Sequence, residues 1–206
     1  KDNIMIIRKQ FQFNGMHIVR DCSSDRCKKS IHSHTYKVEI KVKSQYLDNA
    51  GMVLDFGLMK GHIKDIISSF DNAYSLWTKE KNDYKQLVTI NNDRWIEMPC
   101  SPTAEQYAVM FYAIINEIFN KTKFNNGERD LELLSVTVHE TETGYAEATY
   151  EDYINLWLDG GYDIRNIIFS PAIKKKWTDP DLWDKILSVE GIFYNPEVEL
   201  LYSERK

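Results

Sequence analysis

The chain has 206 residues, 43% of them hydrophobic, with 26 basic against 31 acidic side chains and a formal charge of −5. That length supports one domain with its own core, and the mildly acidic balance gives nucleic acid no electrostatic hold. No apolar run reaches membrane-span length, no leader pattern opens the chain, and three cysteines do not make a disulfide framework, so a reducing cytoplasm is the expected setting.

The first expected element is a strand over Ile4 to Phe13, rich in Ile and Phe. Residues 18–31 are polar and read as a loop. From His34 the alternation is clean: Tyr36, Val38, Ile40 and Val42 face one way, Lys37, Glu39, Lys41 and Lys43 the other, as in a half-buried strand. Asp55 suits an N-cap. Between Phe56 and Phe70, Met59, Ile63, Ile66 and Ile67 recur at helical spacing.

Residues 71–100 read mostly as loop. Thr103 with Gln106 fits a capping box opening a second helix, whose apolar stripe is Tyr107, Phe111, Ile114 and Ile118. Leu133 to Glu140 alternates again, with Leu134, Val136 and Val138 sharing a face with Glu140. Gly144 to Tyr150 can return as a hairpin across "TETG". Residues 1–150 are therefore expected to run strand, strand, helix, helix, strand, strand, an α+β order. Residues 151–206 hold three of the five tryptophans. They are expected to form a mainly helical and irregular extension, packed on the domain or on a neighbouring subunit.

Chemistry concentrates in "CKKSIHSHTYKVEI", residues 27–40. His32 and His34, one residue apart on a strand, point to the same face. His17 is the natural third ligand, in phase with Phe11, Phe13 and Gly15 on the first strand. Three imidazoles leave a zinc ion one open position, as catalysis requires. A closed alternative also exists, in which Cys22, Cys27, His32 and His34 form a structural zinc knot and His17 is incidental.

Several separated motifs then agree in order: "FQFNGMHIVRD", "C…HSHTYKVEI", "GMVLDFGLMK", "SPTAEQYA" and "VTVHETETGYAEA". Over residues 4–150 the chain resembles the 6-pyruvoyltetrahydropterin and 6-carboxytetrahydropterin synthase family. The resemblance implies the tunnelling fold (T-fold), a four-stranded antiparallel sheet with two helices on one face. It also implies trimers stacking into homohexamers, with active sites between subunits. It maps zinc ligands onto His17, His32 and His34, and the catalytic thiol onto Cys27. Glu140 falls where a carboxylate anchors the pterin ring, a role that suits two parallel hydrogen bonds from a 2-amino-pyrimidinone edge. Thr103 and Glu105 match a helix start that can also touch the pterin.

There are two departures from the family pattern. The family usually reads Asp-His after the first helix, the histidine relaying a proton beside the cysteine. Here Asp71 is followed by Asn72, and an amide cannot take up and return a proton near neutral pH. His139 is a substitute candidate, though strand alternation points it away from Glu140. The spacing from Cys27 to His32, and Ser33 between the ligands, also differ slightly from the commonest Cys-x-x-x-His-Gly-His form.

The implied substrate is 7,8-dihydroneopterin triphosphate, with zinc as Lewis acid and Cys27 as base. Arg26, Lys28 and Lys29 are candidates to favour the thiolate or to meet the triphosphate. The short loop from Cys27 to His32 is closer to the carboxy branch, which loses acetaldehyde and triphosphate and leads to 7-deazaguanines such as queuosine. A pyruvoyl product, or a pterin-binding protein with turnover weakened by Asn72, stays open.

Overall fold

The structure is a computed structural model of the chain, in which residues 4–196 are described. Strand β1 (Met5–His17) pairs antiparallel with β2 (His32–Ser44) along its whole length, from Met5 opposite Ser44 to His17 opposite His32. Tyr36, Val38, Ile40 and Val42 are fully buried, as their alternation predicts. Between the strands, the polar loop contains one helical turn, α1 (Asp25–Lys29), which carries Cys27.

Asp55 caps the next helical segment, its Oδ1 accepting from the Gly57 N–H at 2.6 Å. The segment passes through a π-helical turn (Met59–Ile63) into α2 (Lys64–Ser68). Met59, Ile63, Ile66 and Ile67 are all fully buried, so the helical spacing reported a real face.

Residues 71–100 correct the expectation of a loop. They form β3 (Ala73–Trp77), α3 (Asn82–Asn91) and β4 (Trp95–Met98). β3 lies parallel to both β1 and β4. Its alternation is missing because both faces are covered. Ala73 joins the main core, while Tyr74 and Leu76 pack under Val88 of α3. A strand buried on two sides reads as a short apolar run that periodicity cannot assign.

Helix α4 (Ala104–Asn120) starts at Thr103, whose Oγ1 accepts from the Gln106 N–H at 3.3 Å. The capping box is only half formed, since the Gln106 Oε1 is buried with no partner. Tyr107, Phe111, Ile114 and Ile118 are fully buried, each contributing about 1.5–3 kcal/mol of apolar transfer. After β5 (Thr122–Phe124), β6 (Glu132–His139) pairs antiparallel with β2 and with β7 (Tyr145–Ala148). A bulge interrupts β6: Lys41 faces Ser135 and Val42 faces Leu133, so Leu134 is the extra residue. Leu133, not Leu134, therefore enters the core. The Tyr112 hydroxyl donates to the Leu133 carbonyl at 3.0 Å and holds the bulge.

The segment after Ala148 adds α5 (Tyr150–Asp152), β8 (Ile168–Phe169), α6 (Pro171–Lys174), α7 (Leu182–Leu187) and β9 (Phe193–Asn195). β8 pairs with β4 and β9 with β5. The main sheet has the order β7-β6-β2-β1-β3-β4-β8. The four antiparallel strands of the T-fold are thus contiguous, and three more extend the sheet beyond β1. Trp157, Ile173, Trp177, Trp183, Ile186 and Phe193 belong to the same core as the sheet. Trp177 also donates its indole N–H to the Ser69 hydroxyl at 2.8 Å. Among the described residues, no helix is long and apolar enough to cross a membrane.

Candidate active site

Antiparallel register assembles the histidines. His17 faces His32 directly, and His34 lies two residues on, opposite Gly15, so all three share a face. Their ring centres are 4.4, 5.3 and 5.2 Å apart, and one donor atom from each lies within 4.8 Å of the others.

The surroundings suit a cation. His17 Nδ1 is 2.6 Å from the Pro102 carbonyl, and His32 Nδ1 is 3.0 Å from the Ser30 carbonyl. A carbonyl can only accept, so in the neutral rings each Nδ1 carries the proton and each Nε2 keeps its lone pair, that of His17 lying 3.5 Å from the Tyr36 hydroxyl. His34 Nε2 is buried with no hydrogen-bond partner. An orphaned buried nitrogen is costly unless something binds it. Burial pushes His17 down to about 4 and also lowers His34, against the pull of Glu140, whose Oε1 is 3.6 Å away. Neutral imidazoles are the form a metal takes.

Beside the triad opens a cleft of about 400 Å³. Cys27, His32, Thr103, Glu105 and Glu140 all line it. The structure thus gathers the thiol, the carboxylate and the helix start around one edge of the triad. Glu140 is held at the hairpin by its N–H, which donates to the Gly144 carbonyl at 3.2 Å.

Asp71 and Asn72 do not line that cleft. They form the turn from α2 into β3. Asp71 Oδ1 accepts from the Asn14 backbone N–H at 2.8 Å and from its side-chain amide at 3.2 Å. Asn72 takes φ 49°, a left-handed conformation that Asn tolerates, and its amide donates to Asp71 Oδ2. His139 lies on the opposite sheet face, 3.6 Å from Glu39 Oε2. The closed zinc knot is not assembled: among the described residues only His17, His32 and His34 form a metal-capable group. Cys22 instead donates its thiol to the Ser24 carbonyl. Lys28 and Lys29 pair with Asp25, and neither they nor Arg26 line the cleft.

Sequence reasoning missed the two carbonyls that orient the triad, at Ser30 and Pro102. Main-chain acceptors leave no residue-type signal. It also missed Thr141 and Tyr145, which line the cleft from the hairpin.

Residues 6–151 match the profile of a family described as 6-pyruvoyl tetrahydropterin synthase. The chain is 39% identical over 186 residues to a 6-carboxy-5,6,7,8-tetrahydropterin synthase of Helicobacter pylori (strain ATCC 700392 / 26695), covering 90% of this chain and 93% of that protein. It is 31% identical over 118 residues to the protein of that name from Rickettsia typhi, covering 57% of this chain and 81% of that protein. The Helicobacter alignment is longer than the family match, so that relative shares part of the C-terminal segment as well. An uncharacterized Wolinella succinogenes protein of known structure is similar in fold, with a TM-score of 0.55 at 18% identity, over 72% of this chain and 99% of that one.

Proposed function

The chain belongs to the 6-pyruvoyl tetrahydropterin synthase family, and from that premise we propose that it is a 6-carboxy-5,6,7,8-tetrahydropterin synthase acting on 7,8-dihydroneopterin triphosphate. The observation that carries the reading is the single cleft shared by Cys27, Glu140, Thr103, Glu105 and a triad histidine. His17, His32 and His34 would hold a divalent ion, proposed as zinc, whose chemistry is Lewis-acid polarisation of the substrate's side-chain hydroxyls.

The chain's own groups do the rest. Glu140 accepts two hydrogen bonds from the 2-amino-pyrimidinone edge and fixes the ring. Thr103 and Glu105 close the cleft at the start of α4. Cys27, as thiolate, takes a proton from the side chain. Triphosphate leaves by elimination, and one water then adds to the side-chain carbon next to the ring as the carbon–carbon bond breaks to release acetaldehyde. That water supplies the second oxygen of the carboxyl group, and the oxidation of this carbon is matched by reduction of the dihydropterin ring to the tetrahydro level. Such a product is a precursor for 7-deazaguanine nucleosides such as queuosine, made in the cytoplasm. Asp71 and Asn72 lie outside this chain's cleft, which fits completion of each site by a neighbouring copy in a homohexamer. Residues 151–196 serve this assembly as a buttress behind α4.

Incubation with 7,8-dihydroneopterin triphosphate and mass analysis of the product tests the reading. A 6-carboxytetrahydropterin mass with stoichiometric acetaldehyde is expected. A 6-pyruvoyl product alone would move the chain to the other branch of the family, and unaltered substrate would reject both.

A further inference from the structure

We propose that Arg20 and Glu80 are positioning residues for Cys27, an inference that rests on the role given to Cys27 above. Helix α1 cannot place itself. It has five residues, too few to be stable alone, and it buries none of them. Its pairs from Asp25 to Lys28 and Lys29 join exposed groups, which stabilise little. Two bonds to consecutive carbonyls tie it to the body. The Val19 N–H donates to the Cys27 carbonyl at 3.1 Å, and Arg20 Nη1 donates to the Lys28 carbonyl at 3.0 Å.

The same guanidinium is fixed from the other side. Its Nε donates to Glu80 Oε1 at 2.7 Å, and its carbon lies 5.0 Å from the centre of the Tyr84 ring. The Glu80 side chain is 7% exposed, so losing Arg20 would strip a nearly buried carboxylate of its ion-pair partner. Glu80 itself hangs from the end of β3, its N–H donating to the Trp77 carbonyl at 2.9 Å. Tyr84 meets the Tyr74 hydroxyl of β3. Arg20 is therefore a bracket between the added part of the sheet and the turn that carries the thiol.

Of the two carbonyl anchors, only Arg20 is a side chain. Lysine cannot replace it fully, because a point charge does not hold a carbonyl and a carboxylate in one rigid fork. Without the bracket the thiol samples many positions, so proton transfer slows while Glu140 still binds the ring. The signature is a fall in kcat at steady KM.

The test compares Arg20→Gln, Arg20→Lys and Glu80→Gln with the unaltered protein. Each is treated with iodoacetamide under native conditions, and alkylation of Cys27 and Cys100 is followed by peptide mass. Cys100 is fully buried and reports global opening. Cys27 is already half-exposed at the cleft, so loosening α1 should speed its alkylation about two- to threefold in R20Q and E80Q, less in R20K, with Cys100 unchanged. An unchanged Cys27 rate, or equal acceleration at Cys100, overturns the proposal. This arm uses no pterin, so its failure is distinct from failure of the activity. With substrate, R20Q and E80Q should lower kcat at steady KM, with partial recovery in R20K; a change in KM alone overturns the positioning role.

Discussion

His17 and Pro102 are 85 residues apart, yet the imidazole Nδ1 sits 2.6 Å from the Pro102 carbonyl oxygen. That bond ties the end of β1 to the approach of α4 and leaves the far nitrogen facing His32 and His34. His17→Ala should therefore abolish stoichiometric metal, whereas Cys22→Ala should leave it intact. Elemental analysis of the purified proteins checks both. Loss of metal in Cys22→Ala, with retention in His17→Ala, would restore the closed knot.

The metal-free chain should weaken in mild acid. Burial holds His17 at about 4, below its ordinary 6.5, despite the opposing bond to Pro102. Between those values the unfolded chain binds more protons than the folded one. The contribution is complete above about pH 6.5 and is lost as the pH falls towards 4. Urea midpoints measured across this window should drop on acidification, and the drop should be shallower in His17→Gln.

Gly15 lies opposite His34 and leaves no room for a side chain. A Cβ there would meet Phe13 Cε2 at 2.9 Å and Tyr36 Cε2 at 3.4 Å, two rings stacked at 4.8 Å. Gly15→Ala should cost about 1–3 kcal/mol by overpacking. Because the Tyr36 ring contacts His34 at 5.6 Å, metal affinity should fall as well. Chemical denaturation and metal titration read the two effects separately.

Asn72→His restores a group able to relay protons, and histidine also tolerates the left-handed φ of 49°. Turnover should rise by about two orders of magnitude, the low end of general acid–base effects. Since position 72 lies outside its own chain's cleft, the gain should grow with assembly and hence with protein concentration. Full activity in the unaltered protein would refute the relay argument.

Removing the residues after 150 should destroy the fold rather than trim it. The segment supplies Trp157, Trp183, Ile186 and Phe193 to the common core. Loss of even one such aromatic costs about 3–5 kcal/mol, and the loss of all four side chains exceeds a total stability of about 5–15 kcal/mol. A truncated chain should show no cooperative thermal transition in near-ultraviolet circular dichroism.

The sequence made the amphipathic elements legible because each has one wet face. Tyr36, Val38, Ile40 and Val42 of β2 are buried in step with their alternation, although the outward Glu39 is buried as well, and the stripe of α4 is buried even though that helix also buries Ala108, Val109 and Met110 beside it. The His triad was legible for the same reason, since period two puts His32 and His34 on one side and register adds His17. β3 was not, because Ala73, Tyr74 and Leu76 are buried on both faces and have no alternation. The Leu134 bulge hid too, since an inserted residue shifts the phase without any change in composition. Arg20 and Glu80 were invisible because their meeting depends on β3 being a strand.

Phe193, on the separate β5–β9 ribbon, completes a core that Phe13 of β1 begins. A nascent chain emerging from the ribosome thus leaves the apolar back of α4 uncovered until Trp157, Trp183, Ile186 and Phe193 have been made. Closure of the interior is a late, all-or-none event, and partial products present sticky surface to chaperones and proteases.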